Sequence, residues 1–230
     1  GGAQAAPQRL TRPGGLARMA GDEAMIAPFR SGGDFHAETA AKVFHVAPDQ
    51  VTHEMRRQAK AVNFGIVYGQ QAFGLSQSLG VPFGEAKDMI DRYFEAYPGV
   101  RAYLDATVEK ARERGYAETM FGRKRHIPEL HAGNANLRGF GERTAMNHPM
   151  QGSAADIIKL AMIEVSRRLR EEGFAAKLLI QVHDELDFSV PRSEVEALSA
   201  MVREVMESVV ELKVPLIADV SNAPTWAEAH

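Results

Sequence analysis

The sequence contains no cysteine. Disulfides, thiolate metal sites and cysteine nucleophiles are thereby excluded, and the absence fits a reducing, cytoplasmic setting. Long apolar runs are missing too. No stretch approaches the ~20 residues that span a bilayer, and mean hydropathy is −0.25, so no membrane association is expected. Residues 1–15 have no apolar signal-peptide core, and secretion is not expected either. There is no large excess of one charge. With 27 Lys and Arg against 30 Asp and Glu, the net charge of −3 argues against a general nucleic-acid coat, so any such contact must come from a local patch. What is present is 45% hydrophobic and 25% charged residues, the composition of a packed globular chain.

Residues 1–15 are rich in Gly, Pro, Gln and Ala, show no hydrophobic period, and read as a tail. Helical signals follow. Asp34 can cap a helix through Phe44, and Thr52 one over 53–68. Ala86, Met89, Ile90, Tyr93, Phe94 and Tyr97 form a helical stripe ended by Pro98-Gly99. Pro98 starts another helix to Arg114, with Gly115 just past its end. Tyr116 to Ile127 reads as a hairpin with a basic tip, Arg123-Lys124-Arg125. A helix over Ala135–Met146 is expected, then a turn, then a second helix from Ser153 to about Glu172. The period then changes: Lys177–Val182 and Leu186–Val190 are strand-like and joined by His183-Asp184-Glu185. A helix over Val195–Val210 and a strand over Val214–Val220 complete the chain, giving an α+β fold.

Two segments carry chemistry. Arg56, Lys60, Phe64 and Tyr68 are four apart, and each step of four advances about 40° around a helix, so they share one face. Two cations at one end suit a triphosphate, Arg as a planar fork and Lys as a point charge. The aromatic pair further along can stack on a base or sugar. Gly65 and Gly69 each cost a helix about 1 kcal/mol relative to alanine, which points to close approach by another group. The second segment is Gln181-Val182-His183-Asp184-Glu185-Leu186, two carboxylates at a hairpin tip between apolar strands. One carboxylate alone rarely holds Mg2+, which takes near-octahedral oxygen coordination with substrate phosphates among its ligands.

These segments, with Glu142 to Asp156 as a third block, resemble the family A DNA polymerases of the bacterial DNA polymerase I type. The resemblance implies a helical fingers subdomain over 16–130 and part of a palm with an antiparallel sheet and catalytic hairpin over 131–230, leaving 1–15 as an unmatched tail. It implies that Arg56, Lys60 and His36 contact an incoming dNTP's phosphates, that Phe64 meets its sugar and base, and that Tyr68 lies near the templating base. Arg143, Asn147, Gln151 and His183 would contact primer–template DNA. Asp184 would be the metal ligand, and Glu185 an auxiliary catalytic carboxylate. The implied activity is nucleotidyl transfer to a primer 3′-hydroxyl by two Mg2+ ions. The implied setting is a monomer at the bacterial nucleoid, in replication and repair.

The sequence departs from the family in two places. Asp187 stands where an apolar residue is more common, a change tolerable if it faces solvent. The family's first metal-binding motif is missing: counting back from Leu16, its Asp falls at Pro7 and its Glu at Arg12. Proline has no side-chain ligand. The expectation is therefore a truncated or frameshifted polymerase, with a catalytically incompetent nucleotide- and DNA-binding fragment as the alternative. A third outcome is poor folding, because the missing palm strand leaves a sheet edge unpaired.

Overall fold

The computed structural model describes residues 2–6 (backbone only), 16–17, 19–182, 185–212, 216–225 and 228. The chain divides into two compact units, Arg12–Ser153 and Gly1–Thr11 with Ala154–His230. Among the described residues no helix is long and apolar enough to cross a membrane.

The first unit is mainly helical: α1 (Glu23–Ser31), α2 (Phe35–Phe44), α3 (His53–Val67), α4 (Ala72–Leu79), α5 (Phe83–Ala96) and α6 (Pro98–Arg114). Capping explains several starts. Asp34 accepts from the backbone N–H groups of His36 and Ala37 at 3.1 and 3.2 Å, and Thr52 accepts from Met55 at 3.2 Å. Asp22 caps α1 through Met25 at 3.2 Å and also accepts the Gly99 N–H at 2.9 Å, tying the starts of α1 and α6 together. A Cβ on Gly99 would lie 2.9 Å from that carboxylate, so a side chain there would push the two helix ends apart. Tyr93 and Tyr97 are wholly buried at the centre, their rings edge-on at 5.0 Å.

A short hairpin follows, β2 (Tyr116–Glu118) with β3 (Lys124–His126). Its tip is not the basic triplet. Lys124 and Arg125 pair with Glu118 and Ala117 within the ladder, and the turn runs from Thr119 to Arg123. The Thr119 hydroxyl closes that turn by accepting from Phe121 and Arg123, and Gly122 supplies its positive φ of 82°.

The segment read as two helices and a turn is one helix, α7 (Ala135–Glu171), running through Pro149. Ser153 does not cap a new helix because its hydroxyl is engaged twice: it donates to the Pro149 carbonyl and accepts from Met120 N–H. The first of these bonds engages a carbonyl on the same helix one turn back. Gly152 lets the hairpin approach, since a Cβ there would lie 2.5 Å from the Thr119 methyl.

The second unit holds a four-stranded sheet in the order β4 (Lys177–Val182), β5 (Glu185–Ser189), β1 (Gly2–Ala6), β6 (Asp219–Ala223). All three pairings are antiparallel. The part of α7 from Ala154 onward and α8 (Val195–Ser208) pack on one face. Ile158, Ala161, Val165 and Leu169 meet Leu186 and Phe188 and the apolar stripe of α8, including Leu198 and Val202. Fully burying a side chain of this size contributes about 1.5–3 kcal/mol.

Two sequence expectations change here. Residues 2–6, without a hydrophobic period, form a central strand because β5 and β6 bond to both of its edges. The second edge of β5 is thus paired, and among the described residues the sheet's outer strands are β4 and β6. The expected strand start, Val214, lies outside the described residues, and the last strand runs over Asp219–Ala223. Ala218 stays out of the ladder, because Glu207 accepts its N–H at 3.0 Å and Arg203 donates to its carbonyl at 3.3 Å.

Helix propensity alone would have Gly152→Ala stabilise α7 by about 1 kcal/mol. The contact with Thr119 reverses the sign, and a loss of about 1–3 kcal/mol is expected in urea denaturation.

Candidate nucleotide-binding site

The predicted face of α3 exists as read. Lys60 is exposed, Arg56, Phe64 and Tyr68 are half-buried, and Ala59, Val62, Asn63 and Ile66 point into the core. The core stripe contains one polar side chain, Asn63, and that anomaly gives the site its architecture.

Arg56 is not a loose surface cation. Its Nε donates to Asp34 Oδ2 at 2.6 Å, so the residue that caps α2 also holds the guanidinium on α3. A bond through Nε leaves the Nη edge of the fork pointing onward to a second acceptor. Burial pushes the Asp34 carboxyl up, but bonds from Arg56, Ala37 and His36 and the Arg56 charge outweigh it. The carboxyl lies below its ordinary range. It stays ionised, and the clamp it forms is lost only as pH falls through that lowered value.

His36, in the first turn of α2, is brought against α3. Its Nδ1 lies 3.0 Å from Asn63 Nδ2, and its ring is 5.9 Å from that of Phe64, tilted 35°. Asn63 is fully buried, and its Oδ1 lies 3.4 Å from the Thr39 hydroxyl. Thr39 in turn bonds the Phe35 carbonyl at 2.9 Å and the Tyr97 hydroxyl at 3.2 Å. Asp34, Thr39 and Asn63 were not picked out as site residues from the sequence. A polar residue amid the apolar positions 59, 62 and 66 was the available signal.

The glycines at the end of α3 are packed by the chain itself. A Cβ on Gly65 would lie 2.6 Å from Gln70 Oε1, and one on Gly69 would lie 3.1 Å from both Arg143 Cγ and Met146 Cε. Gly69 also has a φ of 66°, left-handed backbone that disfavours any side chain. Arg143 is therefore seated beside the end of α3. Arg143, Asn147 and Gln151 follow at intervals of four along α7, all half-buried. The side-chain oxygen of Asn147 is buried with no hydrogen-bond partner among the described residues.

In the second unit, β4 and β5 form the expected hairpin. Glu185 begins β5 and is half-buried. His183 and Asp184 lie outside the described residues, as do Pro7, Arg12 and Trp226. Asp187 is the surprise. Instead of facing solvent it is 6% exposed, in register between Ile180 and Gln4, and neither carboxylate oxygen has a hydrogen-bond partner among the described residues.

The sequence profile of DNA polymerase family A matches residues 15–228. The chain belongs to that family. DNA polymerase I of Bacillus subtilis is 53% identical over 214 residues, which are 93% of this chain and 24% of that protein. DNA polymerase I of Geobacillus stearothermophilus is 52% identical over 214 residues, with the same coverage of 93% and 24%. The chain thus spans about a quarter of the length of these curated relatives. The solved POL domain of Pol1 from M. smegmatis, in complex with DNA primer-template and dNTP, superimposes with a TM-score of 0.93 at 40% identity. That match covers 99% of this chain and 40% of the other. The α+β architecture is accordingly that of family A fingers helices with part of a palm.

Asp187 departs from what a buried strand position tolerates, because an unpartnered buried polar group costs about 1–3 kcal/mol. Asp187→Val, β-branched and apolar, is expected to raise stability by about that amount. The midpoint of thermal or urea unfolding checks it.

Proposed function

We propose that this chain is the nucleotide-gripping part of a template-directed DNA polymerase, which transfers nucleotides from dNTPs to a primer 3′-hydroxyl. The observation that carries the reading is the pairing of α2 with α3. It places His36 and an Asp34-held Arg56 on the side of α3 that also bears Lys60, Phe64 and Tyr68.

Each residue has a distinct part. Arg56 and Lys60 bind the triphosphate through charge-assisted hydrogen bonds, Arg56 already oriented by Asp34 before nucleotide arrives. His36 adds a ring donor to the phosphates. Phe64, whose ring faces His36, packs on the sugar and base, and Tyr68 stands at the templating position. Arg143, Asn147 and Gln151 form a row on α7 for primer–template DNA. His183 contacts the primer in this reading. The protein works as a monomer at the bacterial nucleoid.

The chemical step calls for Mg2+, with Asp184 as its ligand and Glu185 as an auxiliary carboxylate. The sequence does not meet that demand in full: the position of the family's first metal-binding Asp is Pro7, which has no side-chain ligand. This chain by itself is thus read as binding nucleotide and DNA without turning them over.

Arg56→Ala and Lys60→Ala are each expected to weaken dNTP binding at least tenfold, about 1.4 kcal/mol. Unfolding free energy should change by no more than about 1 kcal/mol, because the Arg56 ion pair is exposed. Titration calorimetry and urea denaturation separate the two effects. In a primer-extension assay with Mg2+ and dNTPs the purified chain should give no extension. Robust extension would overturn the binding-only reading.

A further inference from the structure

We propose that Asn63 is a positioning residue that holds His36 in the tautomer with its proton on Nε2, so that the ring presents a donor to the triphosphate. The phosphate half of this statement rests on the functional reading above; the tautomer half rests on geometry alone.

An amide nitrogen can only donate. In the amide orientation that sets Asn63 Nδ2 3.0 Å from His36 Nδ1, that ring nitrogen accepts, which assigns the single proton of the neutral imidazole to Nε2. The opposite tautomer would aim a lone pair from Nε2 at phosphate oxygens, which are themselves acceptors only. Selecting the tautomer therefore decides whether His36 attracts or repels the ligand while uncharged.

The amide is held in turn. It is fully buried, so a rotation that left Oδ1 and Nδ2 unpaired has no water to fall back on. Oδ1 faces the Thr39 hydroxyl at 3.4 Å, and the Tyr97 hydroxyl lies 3.2 Å from the same oxygen of Thr39. Burial, partly offset by the Thr39 bond, pushes the Tyr97 phenol up to about 12, so it stays an undissociated O–H at neutral pH. The Thr39 proton also has the Phe35 carbonyl within 2.9 Å. The chain Tyr97, Thr39, Asn63, His36 thus runs from the core of the helical unit to its nucleotide face. No member of that inner chain except His36 is placed against substrate.

The test is nuclear magnetic resonance on the 15N-histidine-labelled full chain. Two-bond 15N–1H correlations at a pH where His36 is neutral show which ring nitrogen carries the proton. Wild type should show Nε2–H. Asn63→Asp replaces the donor by an acceptor and should move the proton to Nδ1, or keep both nitrogens protonated to higher pH. Asn63→Leu, which cannot bond, should leave a mixture. These signatures report the ring directly and would not move if Asn63 were only filling space. A wild-type ring with its proton on Nδ1, or an Asn63→Asp ring unchanged from wild type, overturns the tautomer assignment even should the variants lose some stability.

Addition of dNTP to wild type should shift the His36 Nε2–H resonance, and Asn63→Asp should bind dNTP at least tenfold more weakly. If the tautomers behave as stated but dNTP leaves His36 unmoved, the phosphate role falls and the tautomer control stands. If dNTP moves a ring whose neutral form carries its proton on Nδ1, the nucleotide site stands and the inference about Asn63 falls.

Discussion

The seating of α2 against α3 depends on a single buried amide. Asn63 lies on the inward face of α3 with no exposure to solvent. A polar group buried without partners costs about 1–3 kcal/mol by protein mutational measures, so α3 must dock where partners exist. Thr39 and His36, one turn apart on α2, supply them. The docking that satisfies Asn63 fixes how α2 lies along α3. With it come the height of His36 beside Phe64 and the reach of Asp34 to Arg56. Buried apolar residues on the two helices, Val43 and Val62 among them, would tolerate sliding that hydrogen bonds do not.

The charged end of the site shows the complementary principle. The Asp34–Arg56 pair is exposed and contributes little to stability. Its value is directional. An arginine side chain has many rotamers, and ordering them costs free energy at the moment of binding unless a neighbour has done so already. Asp34 performs two tasks with one carboxylate, capping α2 through Oδ1 and orienting Arg56 through Oδ2. Lys60 is exposed on the same face, a point charge that adapts to whatever geometry the fork establishes.

The sheet unit carries the departures from the family pattern. A five-residue strand with three alanines occupies the centre of the sheet, held by backbone bonds to β5 and β6. Beside it, Asp187 is buried on the strand that begins with Glu185, outside the apolar cluster that takes in its neighbours Leu186 and Phe188.

The sequence by itself determined α2, α3, α5 and α6, the caps at Asp34 and Thr52, the β4–β5 pair, and the row Arg56, Lys60, Phe64 and Tyr68, while α1 and α4 were not read from it. These rest on local rules of spacing and capping that act within a few residues. Only the tertiary structure decided what those rules cannot see. That α7 continues through Pro149, that Gly69 makes room for Arg143, that residues 2–6 become a strand and that Asp187 turns inward all depend on partners distant in sequence. Asn63 lies between the two cases. Its polarity within an apolar stripe was legible in the sequence, but its purpose became visible only when α2 brought His36 and Thr39 to either end of its amide.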